Sequence, residues 1–151
     1  MAMRTRKVVV ILMGTVCVLV VAVSVMVVGA HLLTGGYHMR ADRFDTGAEA
    51  KSARESMPRW LPDGAKDISW NWATTGRERK LKATLPSGAL PQGCTAGRPD
   101  RTPEVPEVKA GWFPKDAAKK AAARCGSGTF TYYAYLDRRT LIAWLNTPDE
   151  G

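Results

Sequence analysis

The sequence predicts an α+β domain that follows a single transmembrane helix. Two stretches predict hairpins: Asp67 to Leu85 carries apolar residues at the two-residue period of β-strands, and Thr129 to Asn146 is apolar on both sides of a predicted turn. A third stretch, Lys115 to Arg124, is rich in Ala and Lys, which favour helices. We therefore expect two antiparallel β-hairpins, about four strands in all, with one packed helix and one disulfide.

The apolar run from Val8 to Leu33 predicts the membrane helix. It contains no Lys, Arg, Asp or Glu over 26 residues. A helix of this length reaches about 39 Å, more than the roughly 30 Å of a bilayer's hydrocarbon core. Arg4, Arg6 and Lys7 precede the run, and such cations usually remain cytoplasmic. We expect a single-pass signal-anchor in the cell membrane, with residues 1–7 as a cytoplasmic tail and the C-terminal domain extracytoplasmic.

A cleavable signal peptide is the alternative interpretation of the same run. Val28-Gly29-Ala30 supplies small residues that would allow cleavage before His31 and leave a secreted protein. The apolar cores of signal peptides usually extend over about 7 to 15 residues. The longer run in this chain favours a retained anchor at residues 8–33.

Composition divides the chain after the membrane helix into three parts. Residues 34–57 are polar and lack the apolar period that would dock a helix on a core, so they predict a juxtamembrane linker. Asp45 or Thr46 is a suitable cap for a short helix within it. Aromatic and turn-forming residues begin at Pro58, which places the extracytoplasmic domain at 58–147 and a tail at 148–151.

The first hairpin has a predicted set of residues on each face, whereas its register depends on the length of its loop. Its first strand alternates Trp70 and Trp72 with polar residues, and Thr75-Gly76 supplies the reversal. A loop of two or of four residues leaves the same side chains on each face, and a two-residue loop brings Trp70 opposite Leu81. One face of the hairpin is then apolar, and we expect the other face, which carries the lysines, to be in contact with solvent.

The second hairpin is apolar on both faces. Asp137 to Thr140 predicts a type I turn with Asp in its favoured first position. With that turn, one face carries three aromatic side chains: Tyr133, Tyr135 and Trp144. We expect a helix to cover this face, and the alternative is an exposed aromatic binding surface.

The chain between the hairpins predicts a loop, a helix and a disulfide. The proline-rich stretch 86–111 is a long loop, and Pro114 and Gly126 mark the start and end of the helix 115–124. Cys94 and Cys125 would both lie in an oxidising compartment. Their pairing closes a loop of about 32 residues, worth roughly 3 to 4 kcal/mol on the loop-entropy model. We therefore predict a structural disulfide between them.

The chain is basic, with 22 Lys and Arg against 14 Asp and Glu. Removing the three cations before the membrane helix leaves 19 against 14, a charge of +5 on the outer part. The candidates for contact with an anionic surface lie close together: Arg77, Arg79, Lys80 and Lys82. An ordinary solvated surface is the simpler interpretation. The predicted topology excludes nucleic acid as a partner, because the cations lie outside the cell.

The sequence carries no motif of a catalytic, cofactor or metal site. Its two histidines, His31 and His38, lie at the predicted membrane boundary and not in the predicted domain. The glycine fingerprints of nucleotide sites and the nucleophile and zinc motifs of hydrolases are missing from the sequence. We predict no catalytic, cofactor-binding or metal-binding residue and no cofactor.

The pattern W-x-P-x-x-A occurs twice, from Trp60 to Ala65 and from Trp112 to Ala117. Pro suits a turn or the first residue of a helix, and the preceding tryptophan can cover an edge of the core. With the basic start, the apolar helix and the compact outer domain, these elements resemble small single-pass membrane proteins of Gram-positive bacteria. The resemblance implies no activity and no functional residue.

These observations favour a membrane-anchored extracytoplasmic binding or accessory module over an enzyme. The bilayer and another envelope or membrane protein are the expected partners. The alternative is a small cell-envelope hydrolase. An enzyme would present a cleft with converging polar groups, whereas a binding module would present an exposed aromatic or basic patch.

Overall fold

The computed structural model describes residues 38–126 and 130–145, which form an antiparallel β-sheet with two short helices. The predicted membrane helix from Val8 to Leu33, the first residues of the predicted linker and the predicted tail lie outside the described residues. Within the described ranges, no helix is both long and apolar enough to cross a bilayer.

The sheet has seven strands. In chain order the elements are β1 Met39–Thr46, α1 Gly47–Ala53, β2 Lys66–Ala73, β3 Arg79–Thr84, β4 Cys94–Ala96, α2 Ala117–Lys120, β5 Ala123–Cys125, β6 Tyr132–Asp137 and β7 Thr140–Leu145. Their order across the sheet is β1-β2-β3-β7-β6-β5-β4, with every neighbouring pair antiparallel. β3 and β7 lie at the centre, so the two predicted hairpins meet along them.

One face of the sheet, here called the helical face, holds the main core. Trp70, Leu81 and Leu141 are fully buried there under α1 and the turns that follow it to residue 65. Thr46 caps α1, because its hydroxyl accepts the Glu49 N–H at 3.1 Å. Gly47 begins the helix where the Pro62 carbonyl leaves no room for a Cβ. The start of α1 is thereby fixed against the turn that covers the core.

The opposite face, here called the loop face, is covered by residues 103–121. Asn71 holds this loop with both ends of its amide: it donates to the Lys109 carbonyl at 2.8 Å and accepts from the Trp112 indole at 3.0 Å. Trp144 donates to the Glu104 carbonyl at 2.9 Å. These bonds pair polar groups that the loop buries, so a segment with little regular structure can cover a sheet.

The segment predicted as a linker contributes two elements to the folded domain from residue 39 onward. β1 pairs with β2 from Met39 opposite Ala73 to Thr46 opposite Lys66, and α1 follows directly. β1 is an edge strand with many exposed charged side chains, so its apolar period is weak. The sheet domain therefore includes residues 39–53, which precede its predicted start at Pro58.

The register predicted for the first hairpin is confirmed, with Trp70 opposite Leu81. The prediction of a solvent-facing second side is wrong. Lys80 on that side is 7% exposed, and Ser69 and Asn71 are also buried. The reason is the covering loop, which the strand pattern itself does not reveal.

The second hairpin has the predicted pairing, with Tyr133 opposite Trp144 and Asp137 opposite Thr140. The type I turn is wrong, because Arg138 has a φ of 57° and both central residues of a type I turn need negative values. Positive φ at the first central residue suits the right-handed twist of a tight hairpin. The alternative prediction of an exposed aromatic surface is also wrong, since Trp144 and Tyr135 are buried under the loop.

The predicted helix from 115 to 124 is reduced to the single turn α2. The chain then joins the sheet, where the Ala122 N–H donates to the Ala134 carbonyl at 2.9 Å and β5 pairs with β6. Alanine is compatible with both helix and strand, so the hydrogen bonds to β6 determine the conformation of this segment.

β5 brings Cys125 directly opposite Cys94 of β4, and their disulfide confirms the predicted pair.

Candidate binding cleft

An open cleft of about 810 Å³ lies on the helical face. It is bounded by residues 53–60, by β2, by Gly126 and by the start of β6. Its larger apolar lining residues are Met57, Pro58, Trp60, Trp72, Phe130 and Tyr132. The polar lining residues are Arg54, Glu55, Ser56 and Arg59. Small-molecule sites usually occupy about 300 to 1,000 Å³ and are mostly apolar with a few placed polar groups. We call this site the aromatic cleft.

Trp72 forms a fixed platform in the aromatic cleft. The guanidinium groups of Arg54 and Arg79 lie 5.3 and 5.9 Å from its ring centroid. Its indole N–H donates to Asp42 at 3.1 Å, and Arg54 donates to both oxygens of the same carboxylate at 2.9 and 3.2 Å. Because Trp72 contacts Arg54, Arg79 and Asp42, it has few alternative rotamers. This wall of the cleft is therefore pre-organised for a ligand.

The electrostatics of Asp42 follow from the same contacts. Its partial burial opposes the charged form, but the hydrogen bonds from Arg54 and Trp72 outweigh that effect and hold the pKa of the carboxyl below its ordinary value. Asp42 is therefore ionised at neutral pH and offsets the charge of Arg54. No salt bridge among the described residues involves Arg59, Arg77 or Arg79. The Nη1 group of Arg79 donates instead to the backbone carbonyls of the β2–β3 turn.

Trp60 has an unpaired donor at the cleft. Its indole nitrogen is buried and has no hydrogen-bond acceptor within the described part of the chain. The ring packs edge-on against Tyr132, with ring centroids 5.4 Å apart. Gly126, at φ 90°, passes so close that a Cβ there would come within 3.5 Å of this nitrogen. An unpaired buried donor costs about 1 to 3 kcal/mol, so an acceptor that reached it would be favoured.

The rim of the cleft combines an exposed ring with a cation. Phe130 is 57% exposed, and the Arg77 guanidinium lies 5.5 Å from its ring centroid. Tyr132, below the rim, is buried, and this burial raises the pKa of its hydroxyl above the ordinary value. The hydroxyl is therefore neutral at physiological pH, and the charge at the cleft comes from the arginines, Asp42 and Glu55.

The four cations singled out in the sequence do not form one surface. Arg77 and Arg79 lie beside the aromatic cleft. Lys80 and Lys82 lie on the loop face, with their ammonium groups 4.4 Å and 5.5 Å from the ring centroids of Phe113 and Trp112. Burial lowers the pKa of Lys80. Consecutive side chains of a strand point to opposite faces of the sheet, so Arg79 and Lys80 are on different faces.

Sequence reasoning missed Arg54, Trp60 and Phe130 as parts of a site. Arg54 falls in the segment predicted as a linker, and the exposure of Phe130 depends on how its hairpin is covered. Trp60 carried a usable signal, because the W-x-P-x-x-A pattern marks it as an aromatic beside a turn. In the structure the two tryptophans of that pattern lie on opposite faces of the sheet.

The chemistry of the cleft is that of binding an apolar or aromatic group that carries an anionic or hydrogen-bond-accepting part. Aromatic faces supply apolar area and stacking, and arginines supply charged donors. Within residues 38–126 and 130–145, no three His, Cys, Asp or Glu side chains are grouped so that they could hold a metal ion. No known family model, curated protein or solved structure matches this chain.

Proposed function

We propose that this chain is a membrane-anchored extracytoplasmic binding module whose ligand occupies the aromatic cleft. The observation that carries the proposal is the cleft itself, in which Trp60 and Trp72 face a common space of about 810 Å³ with arginines at its edge. Aromatic side chains and arginine are the residue types most enriched at binding hot spots.

The location rests on the sequence. The apolar run from Val8 to Leu33 and the cations before it favour an anchor with the N-terminus in the cytoplasm. The disulfide between Cys94 and Cys125 supports an oxidising compartment for the sheet domain, because such bonds are rare in the cytosol.

Binding is favoured over hydrolysis by the state of the carboxylates at the cleft. Asp42 is held by Arg54 and Trp72, so it is ionised and its oxygens are already used. Glu55 is exposed at the rim. A glycosidase-type mechanism needs two carboxylates placed on either side of a substrate, one of them with a raised pKa.

The test is photo-crosslinking of the full chain in its native membrane. Ser56→p-benzoylphenylalanine places the crosslinker in the cleft, and Ser87→p-benzoylphenylalanine places it on another exposed turn. We expect discrete added masses on the purified chain from position 56 that position 87 does not give. A Trp60→Ala background should weaken them, because the substitution removes a wall of the cleft. Identical mass spectra from the two positions would contradict the proposal.

A further inference from the structure

Three structural features meet at one end of the sheet, here called the basic end. It is the end at which β1 and β3 begin and β2 and β7 finish, with Met39 opposite Ala73 and Arg79 opposite Leu145. The charged residues at these strand ends and in the β2–β3 turn are Arg40, Arg77, Glu78 and Arg79. Among the described residues, three cations and one carboxylate therefore give these strand ends and this turn a net positive charge.

The other end of the same strands, here called the distal end, is balanced. Its strand ends and tight turns carry three cations and three carboxylates, which are Asp45, Lys66, Asp67, Asp137, Arg138 and Arg139. The charge difference between the ends lies along the strand direction. An anionic partner is therefore attracted to the basic end and not to the distal one.

The aromatic cleft opens at the basic end. Trp72 lies one residue before the end of β2, and Phe130 and Tyr132 lie where β6 begins. The exposed ring of Phe130 sits beneath Arg77, and Arg79 lies over Trp72. Each of these aromatic rings therefore lies next to a guanidinium group at the opening of the cleft. This arrangement suits a ligand with an apolar body and an anionic head.

The chain also enters the sheet at the basic end. The His38 carbonyl accepts the Thr74 N–H of the β2–β3 turn at 2.7 Å, directly before β1 begins. Residues 34–38 separate the apolar run from β1, and five residues span at most about 17 Å even when fully extended. This length is the upper limit on the chain that tethers the start of β1 to a retained anchor.

We propose that the ligand of the aromatic cleft is an anionic lipid taken from the bilayer to which the chain is anchored. Its phosphate is held by Arg77 and Arg79, and the apolar part next to its headgroup lies against Phe130, Trp60 and Trp72. The proposal rests on the proposed function for the anchor and for the cleft as a binding site. A neutral sugar would instead call for carboxylate and amide partners, and a cationic ligand would be repelled by the arginines.

The experiment uses the full chain in nanodiscs that contain equal amounts of phosphatidylglycerol and phosphatidylcholine. Ser56→p-benzoylphenylalanine is photolysed, and the intact chain is weighed to identify the lipid attached. We expect phosphatidylglycerol adducts to exceed phosphatidylcholine adducts at position 56, with no such preference at position 87. Raising the salt to about 1 M shortens the screening length to about 3 Å and should reduce the preference.

Charge reversal tests the arginines. Arg77→Glu changes the charge by two units, so at about 1 kcal/mol per unit charge it should lower the phosphatidylglycerol preference about 30-fold. Arg138→Glu, an equal charge change in the distal β6–β7 turn, should leave it unchanged. The two variants share the net charge, so a difference between them reports position.

The outcomes separate the two proposals. Adducts in the molar ratio of the disc, or equal effects of the two variants, would overturn the lipid assignment. Discrete adducts from native membranes but no lipid adduct in discs would also overturn it, while leaving the cleft as a binding site for another ligand. Failure of the chain to remain in the discs would overturn the anchor and the lipid assignment together.

Discussion

At the scale of residues, strand periodicity predicts which side chains share a face but not which faces are covered. Trp70 and Leu81 are opposite one another as predicted, because alternation and loop length determine the register. Lys80 follows the same parity and is nonetheless buried, because Phe113 of a loop 33 residues later lies against it. Burial of that kind depends on tertiary contacts that the local pattern does not contain.

Lys80→Met should stabilise the domain. Methionine keeps the apolar stem and removes a desolvated charge, so we expect the free energy of unfolding to rise by about 1 kcal/mol at pH 7. Since burial lowers the pKa of Lys80 in the folded state, the unfolded chain keeps its proton to higher pH. Wild-type stability therefore rises relative to the variant as pH approaches the ordinary lysine value of about 10.4.

Urea unfolding of both chains between pH 7 and pH 10 measures this difference. Lys82→Met is the matched control, because Lys82 is less buried and should give a smaller change. A destabilised Lys80→Met variant whose deficit is independent of pH would show that the contact of Lys80 with Phe113 outweighs the cost of burial.

Asp42→Asn should destabilise the aromatic cleft. The substitution removes the charge that accepts two bonds from Arg54 and one from Trp72, so we expect a loss of about 1 to 2 kcal/mol at pH 7. The folded-state pKa of Asp42 is lowered, so its contribution is present above the ordinary value of about 3.9 and is lost as pH falls below it. The difference between the chains should therefore shrink in acid.

Thermal unfolding from pH 7 down to pH 2 checks the prediction for Asp42. Asp45→Asn, on the same strand but with an exposed side chain, should change stability by less than about 0.5 kcal/mol. Equal effects of the two substitutions would contradict the role given to the contacts of Asp42 with Arg54 and Trp72.

At the scale of elements, the sequence predicts the strands that have a strong apolar pattern. It fails for edge strands and for segments whose structure depends on a neighbouring strand. Both hairpins, β2–β3 and β6–β7, are recovered because their strands are central and apolar. β1 is missed because an edge strand exposes charged side chains. The stretch from Lys115 to Arg124 favours a helix by composition, but β6 supplies hydrogen-bond partners, and its end forms a strand instead.

The disulfide should stabilise the β4–β5 edge and the whole domain. It joins residues 31 apart in sequence, so replacement of Cys94 and Cys125 together by Ser should cost about 3 to 4 kcal/mol on the loop-entropy model. Because β4 has only three residues and no outer neighbour in the sheet, its amides should lose protection first.

Urea unfolding with hydrogen exchange measures both effects. Reduction of the wild-type chain should reproduce the behaviour of the double variant. An unchanged midpoint, or β4 amides that keep their protection while those of the central strands β3 and β7 lose it, would contradict the assignment of the bridge to this edge.

At the scale of the whole molecule, the two faces of the sheet differ in how completely they are covered. The sequence does not predict this difference. The loop face is sealed by residues 103–121, whereas the helical face is only partly covered and opens as the aromatic cleft. The sequence could predict that tryptophans and arginines are abundant around two hairpins. It could not predict the cleft, because its walls come from residues 53–60, 72 and 130–132, which are far apart along the chain.

The five indole N–H groups of this chain provide the most direct test of the aromatic cleft. Selective ¹⁵N-tryptophan labelling gives each a signal in the full chain held in nanodiscs. When the disc lipid is changed from phosphatidylcholine alone to an extract of the native envelope, the signals of Trp60 and Trp72 should shift. Those of Trp112 and Trp144, which donate to acceptors on the loop face, should not. Five unchanged signals, or equal shifts on both faces, would contradict the cleft as the binding site.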